Sequence, residues 1–311
     1  MDAQPWQLAG ECPENTIPVK RVTKEDLLRV DNINNYGKKT SRTNISQPHQ
    51  FYHPTAIGEN VYHEYATTSA NGVFRGAKAQ MNVWKPRIQE ARGFSLSQIW
   101  VVGGNDGPGL NTIEAGWHAD PDLHGGDASP RIFIFWTSDG YHKAGCYNHL
   151  CSGFVQTNKR IALGALLKPI STYNGPQFLL IVQIWKDPKS GNWWLQLNEK
   201  ELMGYWPKEL LPNLANAART VEWGGEVVNI EKNGQHTTTE MGSGHFPSEG
   251  FGKASHFRVV KIIDTSNVIR DPVRMTTVVS KPTCYNLKNG YSRPWGVFFY
   301  YGGPGRNPRC H

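Results

Sequence analysis

The chain has 311 residues, of which 38% are hydrophobic and 11% aromatic, so it can hold one large β domain or two ordinary domains with a sizeable core. Its formal net charge is +7, but Lys and Arg are scattered and form no basic run, which argues against a nucleic-acid partner. No apolar run approaches the roughly 20 residues of a membrane span, and the frequent Gly and Pro disfavour long helices.

Residues 1–52 are polar, charged and poor in alternation, so we interpret them as a leader or lid outside the core. Residues 22–30 are predicted to form a short helix capped by Thr23. The first residues have neither the charged region nor the apolar region of a signal peptide. Either the sequence begins downstream of such a peptide, or the protein is intracellular. The triplet Asn44-Ile45-Ser46 is an N-glycosylation pattern, which is meaningful only in a secreted protein.

From residue 62 the pattern is typical of strands. Segments 62–68 and 73–85 are predicted to form a hairpin at Asn71-Gly72. One helix is predicted at 207–218, because Pro207 suits its first position. Many short strands with few helices predict an all-β fold, an antiparallel sandwich or jelly roll of two stacked sheets. The other predicted strands are 98–102, 111–117, 132–137, 161–166, 177–186, 192–198, 221–230, 255–264 and 297–301.

The cysteines indicate an oxidising compartment. Cys146 with Cys151, and Cys284 with Cys310, form two local pairs that we predict to be disulfides, while Cys12 is left over. We therefore expect a secreted protein. No Cys-x-x-Cys or His-x-x-x-His spacing occurs, so we expect no metal and no cofactor. Four scattered histidines are expected mostly at the surface: His118, His124, His245 and His256.

A glutamate stands in the middle of the strand at 111–117. Alternation places Glu114 on one face with small residues, and a mid-strand Glu runs against β-propensity, so it needs solvent or a function. Segment 221–227 is the other place where carboxylates lie in a strand-like pattern beside glycines. Glu226 is the preferred partner because those glycines leave room for a substrate, and Glu222 is then a neighbour at the rim.

Two carboxylates that lie close together can activate a water molecule. Because both cannot comfortably ionise, they share one proton. The ionised member then takes a proton from water, while the protonated member binds the carbonyl oxygen and later supplies the leaving amine. This chemistry requires no metal and no covalent intermediate. Which glutamate is the base stays open. Ser152 and Ser243 lie beside glycines, but neither makes a nucleophile elbow.

The chain resembles the neprosin family of plant glutamic peptidases over most of its length. The resemblance implies an antiparallel β-sandwich with a cleft across one concave sheet, secretion as a zymogen, acidic operation, cleavage after proline, and Glu114 and Glu226 as the catalytic pair. Glu240 stands where the family pattern often has Gln, so a third carboxylate is expected near the cleft. The motifs that carry the resemblance are Glu11-Cys12-Pro13, Thr16-Ile17-Pro18, Gln98-Ile99-Trp100, 111–117, Cys146-Tyr147-Asn148, 153–158, 191–194, 204–207, 222–226, 241–247 and 301–305.

A preference for proline would need a pocket with aromatic walls. Composition alone offers several aromatic candidates, most of which we expect in the core: Trp100, Trp136, Trp193, Trp194, Tyr205 and Trp206. The residues that we predict to bind substrate are Trp100, Trp136, Tyr205, Glu222 and His245.

The N-terminal segment (residues 1–52) is expected to inhibit the catalytic domain (residues 53–311). Its basic side chains would lie over an acidic cleft at neutral pH and leave as carboxylates protonate, with a cut near residues 47–60. The partners expected for this monomeric protein are proline-containing peptides. Two alternatives stay open, a glycosidase with paired carboxylates and a lectin-like wall module. The basic residues are Lys20, Arg21, Lys24, Arg29, Lys38, Lys39 and Arg42.

Overall fold

The computed structural model describes residues 12–28, 33, 36–39 and 59–311. No helix in these ranges is long and apolar enough to cross a membrane. The elements are one helix, α1 (Lys24–Leu28), and the strands β1 (Glu59–Phe74), β2 (Gly76–Asn82), β3 (Ser95–Gly103), β4 (Asn111–Ala119), β5 (Arg131–Thr137), β6 (Cys146–Tyr147), β7 (Val155–Gln156), β8 (Leu179–Lys186), β9 (Trp193–Leu197), β10 (Glu201–Trp206), β11 (Ala218–Lys232), β12 (Ser255–Ile263), β13 (Ile269–Arg270), β14 (Thr276–Val279), β15 (Asn286–Ser292) and β16 (Gly296–Gly302).

The strands form two antiparallel sheets. The seven-stranded sheet has the order β14-β1-β11-β3-β4-β5-β6, and the nine-stranded sheet has the order β15-β16-β12-β2-β8-β9-β10-β7, with β13 paired to β12. The main core lies between them, with Ile99 and Trp223 from the first sheet and Ile184 and Phe257 from the second. The predicted all-β sandwich is therefore confirmed.

A second apolar cluster covers the other face of the seven-stranded sheet. It contains Leu96, Trp100, Phe133 and Phe135, which alternate along β3 and β5 with residues of the main core. Tyr36 of the N-terminal segment packs against this cluster. The outer face of this sheet is therefore buried and carries the cleft described below.

The helix predicted near residue 23 is present as α1. The Thr23 hydroxyl accepts the Asp26 N–H at 3.2 Å, and the Asp26 carboxylate accepts the Thr23 N–H at 2.9 Å. This reciprocal pair satisfies two donors that a helix start leaves free. Residues 29–30 of the prediction, and the glycosylation triplet at 44–46, lie outside the described residues.

The predicted hairpin at Asn71-Gly72 is wrong. β1 continues through these residues and pairs with β11 from Glu59 to Phe74, with an irregularity after Asn71. The chain then passes to β2 in the other sheet. The long pairing with β11 overrides the local turn signal, because strand pairing depends on the neighbouring strands as well as on local sequence.

Two further predictions are wrong. Residues 207–218 form 3₁₀ turns at Lys208–Leu210 and Pro212–Leu214, because Pro212 lacks an N–H and disfavours helical geometry at the residue before it. Residues 161–166 form turns, and only Leu166 makes an isolated bridge, with Arg131. Their apolar side chains fill the core from a loop, so hydrophobicity without alternation misled the prediction.

The two local cysteine pairs are disulfides, Cys146–Cys151 and Cys284–Cys310, and Cys12 is free. The sulfurs of the second pair lie near His236, but they are bonded to each other and offer no thiolate to a metal. The surface prediction for the histidines is wrong for three of them, because His118, His124 and His256 are buried.

Candidate active site

Glu114 and Glu226 lie on the same outer face of the seven-stranded sheet. Glu226 on β11 is opposite Leu96 on β3, and Glu114 on β4 is opposite Trp100 on β3. The pairing of β11 is regular across its two central glycines, so the parity predicted for Glu222, Gly224 and Glu226 holds. Both catalytic candidates are fully buried.

A row poor in side chains separates the two glutamates. Gly224, Gln98 and Gly116 are aligned across β11, β3 and β4, one row between that of Glu226 and that of Glu114. A Cβ atom at Gly116 would collide with the Ser97 carbonyl, and one at Gly224 would collide with the Ala66 carbonyl. The two glycines therefore permit close strand packing and leave the glutamates room to lean towards each other.

One ammonium group joins the two carboxylates. Nζ of Lys39, in the N-terminal segment, donates to Oε2 of Glu114 at 2.9 Å and to Oε2 of Glu226 at 2.8 Å. The two carboxylate oxygens are thus no farther apart than the sum of these distances. The side chain of Lys39 is 1% exposed, so this is a buried ion-pair triad. Buried charges of this kind need each other, because a lone one would be poorly solvated.

Apart from Lys39, the groups that bond Glu114 are neutral. Its Oε1 accepts from the Tyr141 hydroxyl at 2.6 Å and from the Thr112 hydroxyl at 3.0 Å. Its Oε2 accepts from the Gln98 side-chain amide at 2.8 Å. Each of these groups can both donate and accept a hydrogen bond. Once Lys39 has left, the remaining partners of Glu114 therefore suit either its charged or its neutral form.

A tight loop after β5 holds Tyr141 in place. Tyr141 has a φ of 67°, an uncommon left-handed conformation for a bulky residue, and its N–H donates to the Thr137 hydroxyl at 3.0 Å. The Asp139 carboxylate accepts from the N–H groups of Lys143 and Ala144 at 2.8 and 2.9 Å. Burial works against the charge of Asp139, yet these donors hold its pKa below the usual value. The loop stores strain at the residue that contacts Glu114.

A histidine and a tyrosine of β1 hold Glu226. Nδ1 of His63 lies 2.6 Å from Oε1 of Glu226, and the Tyr65 hydroxyl donates to the same oxygen at 3.3 Å. The His63 side chain is 6% exposed. Tyr65 is directly opposite Glu226 in the sheet, and His63 is two residues away on the same face. The two glutamates therefore differ in their neighbours.

Aromatic rings form the walls around the ammonium of Lys39. Its Nζ lies 5.8 Å from the Phe94 ring centre, 5.9 Å from that of Trp100 and 6.0 Å from that of Phe135. Cations are attracted to such ring faces. Tyr147 belongs to the same cluster, and burial raises the pKa of its hydroxyl well above the usual value. We call this space, between the two glutamates and these rings, the cleft.

Three residues predicted to bind substrate lie elsewhere. Trp136 is in the core between the sheets, because it alternates with Phe135 and so faces away from the cleft. Tyr205 lies on β10 in the other sheet and contacts Trp194 with ring centres 4.8 Å apart. His245 bonds Glu249 at 2.9 Å and packs on Tyr173. The alternation of side chains along β5 could have shown from the sequence that Trp136 faces away from the cleft.

Of the other residues predicted near the cleft, two lie on its face and one does not. Trp100 and Glu222 are opposite each other on the face of the cleft, and Glu222 is 2% exposed. Glu240 is not a third carboxylate of the cleft, since it accepts the Arg87 N–H at 2.8 Å and faces the Arg87 guanidinium. Its position depends on the loop after β11, whose path no local pattern specifies.

The sequence interpretation missed most of the residues that touch the glutamates: Thr112, Gln98, Tyr141, His63 and Tyr65. Thr112 and Gln98 could have been found from alternation, because they share faces with Glu114 in β4 and its neighbour β3. Tyr141 and His63 gave no such signal. Lys39 was named only as one of seven basic residues.

The Neprosin family profile matches residues 91–304, and the Neprosin activation peptide profile matches residues 1–69. Among solved structures, the chain is similar to scytalido-glutamic peptidase with a transition state analog inhibitor, at 10% identity and a TM-score of 0.44, covering 78% of this chain and 98% of that chain. A second structure of that peptidase, with a peptide-based transition state analog, has 11% identity and a TM-score of 0.41, covering 79% and 100%. SCP-B, a member of the Eqolisin family of peptidases in complex with the tripeptide Ala-Ile-His, has 8% identity and a TM-score of 0.40, covering 78% and 98%.

Proposed function

The chain belongs to the neprosin family and is a peptidase, and we propose that it cleaves peptide bonds with a water molecule activated by Glu114 and Glu226. Its N-terminal residues belong to a Neprosin activation peptide. We further propose that it is a secreted endopeptidase that works at acidic pH and cuts after proline.

One observation carries this proposal. A single atom, Nζ of Lys39, is within hydrogen-bonding distance of both glutamates. A water molecule has about the size of an ammonium group and also bonds two carboxylates at such distances. Once Lys39 leaves, its place is therefore the right one for the attacking water. The position is buried, where electrostatic interactions are stronger than in water.

The reaction needs one proton between the two acids. The ionised glutamate takes a proton from water as the water oxygen bonds to the carbonyl carbon. The protonated glutamate gives its proton to the carbonyl oxygen. The C–N bond then breaks as the nitrogen takes the proton that came from water, and the second glutamate recovers its own proton from a hydroxyl of the intermediate. Atoms and charges balance without a further reagent.

The same ammonium explains latency. While Lys39 occupies the cleft, both carboxylates are engaged and no water can lie between them. The site can hold the attacking water only once Lys39 has left it. The N-terminal segment thus acts as an inhibitor of the site that it covers.

Two finer parts of the proposal have separate support. The aromatic walls of Phe94, Trp100 and Phe135 suit the flat, rigid ring of proline. The Cys146–Cys151 and Cys284–Cys310 disulfides fit an oxidising compartment and hence secretion.

The test compares the acid-treated wild type with Glu114→Gln and Glu226→Gln on a fluorogenic peptide that contains proline. Each variant is expected to lose about 10²–10⁴-fold in kcat, since each proton transfer contributes that much. Glu240→Gln is the matched control, because Glu240 pairs with Arg87 outside the cleft. Full activity in either cleft variant contradicts the proposal. Turnover of glycans but not of peptides would instead identify a glycosidase, and glycan binding without turnover a lectin-like module.

A further inference from the structure

The surroundings of Glu226 and Glu114 differ in one chemical respect. An imidazole that carries both protons is a donor at each nitrogen and cannot accept a hydrogen bond. Such a cation favours the charged form of a carboxyl group beside it, and the partner of His63 at 2.6 Å is Glu226. Imidazole is ordinarily protonated below about pH 6.5, which is the range in which the proposed chemistry operates. An imidazolium at this position therefore favours a charged Glu226.

The neutral partners of Glu114 do not favour its charged form in this way. Tyr141, Thr112 and Gln98 can each turn from donor to acceptor. Gln98 presents a buried Oε1 atom that has no partner among the described residues. A half-turn of its amide would let that oxygen accept a proton from a neutral Glu114. The one shared proton of the pair is therefore best accommodated on Glu114.

We propose that His63 is a positioning residue that assigns the two roles, holding Glu226 as the carboxylate base and leaving Glu114 as the acid. This inference rests on the proposed function of the pair. His63 acts through Glu226 and does not touch the substrate. Glu226 takes the proton from water, Glu114 gives its proton to the carbonyl oxygen, and Glu226 then passes its proton to the leaving nitrogen.

Several charged or titratable groups face Glu226 from the elements packed against it. His63 and Tyr65 come from β1, Glu114 from β4, Tyr147 from β6 and Lys39 from the N-terminal segment. Lys39 leaves on activation. His63 then stays beside Glu226, because β1 pairs with β11 throughout this region.

The experiment measures kcat/KM of the acid-processed enzyme against pH for the wild type, His63→Gln and His63→Lys. His63→Gln should equal the wild type near neutrality, where an imidazole is uncharged, and fall increasingly behind as the pH drops. Its acid limb should move up by about one pH unit, the usual effect of losing an adjacent opposite charge. His63→Lys keeps a cation that only donates, so its acid limb should stay near that of the wild type.

The outcomes are distinguishable. A constant ratio between His63→Gln and the wild type at every pH, or an acid limb of His63→Lys that moves with His63→Gln, overturns the inference. His142→Gln is the matched control, because His142 is exposed. Thermal unfolding shows whether His63→Gln folds, and His63→Lys decides the question if it does not. If Glu114→Gln or Glu226→Gln is fully active in the same assay, the proposed function itself fails. If both are inactive and the His63 variants follow the wild type, only the role of His63 fails.

Discussion

Nζ of Lys20 in the N-terminal segment lies 3.1 Å from Nδ1 of His124 in the β-sandwich. An ammonium only donates, so Nδ1 accepts and His124 carries its proton on Nε2. That nitrogen lies 2.8 Å from Nε2 of His118, which must accept in turn. The chain of bonds therefore exists only while both imidazoles are neutral. A second proton on His118 would place two N–H groups between the Nε2 atoms, and a second proton on His124 would place one facing the Lys20 ammonium. Either proton removes a hydrogen bond from the chain.

The electrostatics of this pair favour its neutral form while the N-terminal segment is docked. Burial, followed by the charge of Arg131, lowers the pKa of His118 to about 3, and burial lowers that of His124 further, with His118 and Lys20 adding to it. Burial raises the pKa of Asp120, beside His118, to about 7. Asp120 therefore loses its charge below neutrality and cannot compensate a proton on the pair.

The N-terminal segment is expected to dock more weakly as the pH falls. Lys39 and Lys20 of the N-terminal segment lower the pKa of His118, and Lys20 lowers that of His124, so both histidines bind a proton better once the segment leaves. Docking is therefore stronger at neutral pH and weakens as the pH falls. Each histidine contributes up to about tenfold per pH unit. Lys20 also lowers the pKa of Asp120, so the loss of this ammonium on release works in the same sense.

His124→Gln should lower the pH needed for activation. The Gln amide can accept from Lys20 and donate to His118, but it takes up no proton. Samples are incubated at graded pH and then assayed for peptide cleavage at one fixed pH. His142→Gln, at an exposed position, controls for the loss of a histidine. An unchanged onset of activity in His124→Gln would exclude this pair as the acid sensor.

Lys39→Met should activate the unprocessed chain. Met fills the space of the lysine stem but leaves Glu114 and Glu226 facing each other without a cation. Removing one member of a buried charged group typically costs about 3–5 kcal/mol, which loosens the N-terminal segment. The measurement is peptide turnover before any cleavage, with chain length checked by mass. Lys24→Met makes the same change at an exposed position and should stay latent. A latent Lys39→Met variant would show that other contacts suffice.

Tyr141→Phe should lower kcat/KM by roughly tenfold to hundredfold. It removes the 2.6 Å bond to Glu114, which becomes charged as it gives up its proton, and a hydrogen bond to a charged group is worth about 1.5–3 kcal/mol. Tyr205→Phe is the matched control, because Tyr205 lies in the other sheet and should leave kcat/KM unchanged. Thermal unfolding of both variants separates a lost contact from a lost fold. Equal activities in the two would remove Tyr141 from the site.

Alternation predicted the strands that cross the middle of each sheet, because apolar core residues alternate along them with small or polar residues. β4 and β11 are the best examples, and their parity put Glu114 and Glu226 on one face. β15 was missed because its sequence, Asn286–Ser292, is polar and lies at a sheet edge. The hairpin at Asn71-Gly72 failed because β11, far along the chain, pairs with both sides of the turn signal.

The two glutamates could be predicted from the sequence, but most of the residues that bond them could not. His63 precedes Glu226 by more than a hundred and fifty positions and meets it only through the β1–β11 pairing. Tyr141 reaches Glu114 from a strained loop that hydrophobic patterns do not describe. Contacts that depend on sheet order or loop path require the three-dimensional arrangement, whereas contacts along one strand follow from parity.

The position of the maturation cut gives the last prediction. The Neprosin activation peptide profile extends to residue 69, and the cut expected from the sequence falls near residues 47–60, of which 47–58 lie outside the described residues. β1 is a central strand between β14 and β11, and it carries His63. Removing it would expose both neighbouring strands and free Glu226 of its partner. N-terminal mass analysis of the acid-processed enzyme should therefore find a start before His63. An active product that begins after Ser69 would show that β1 is dispensable.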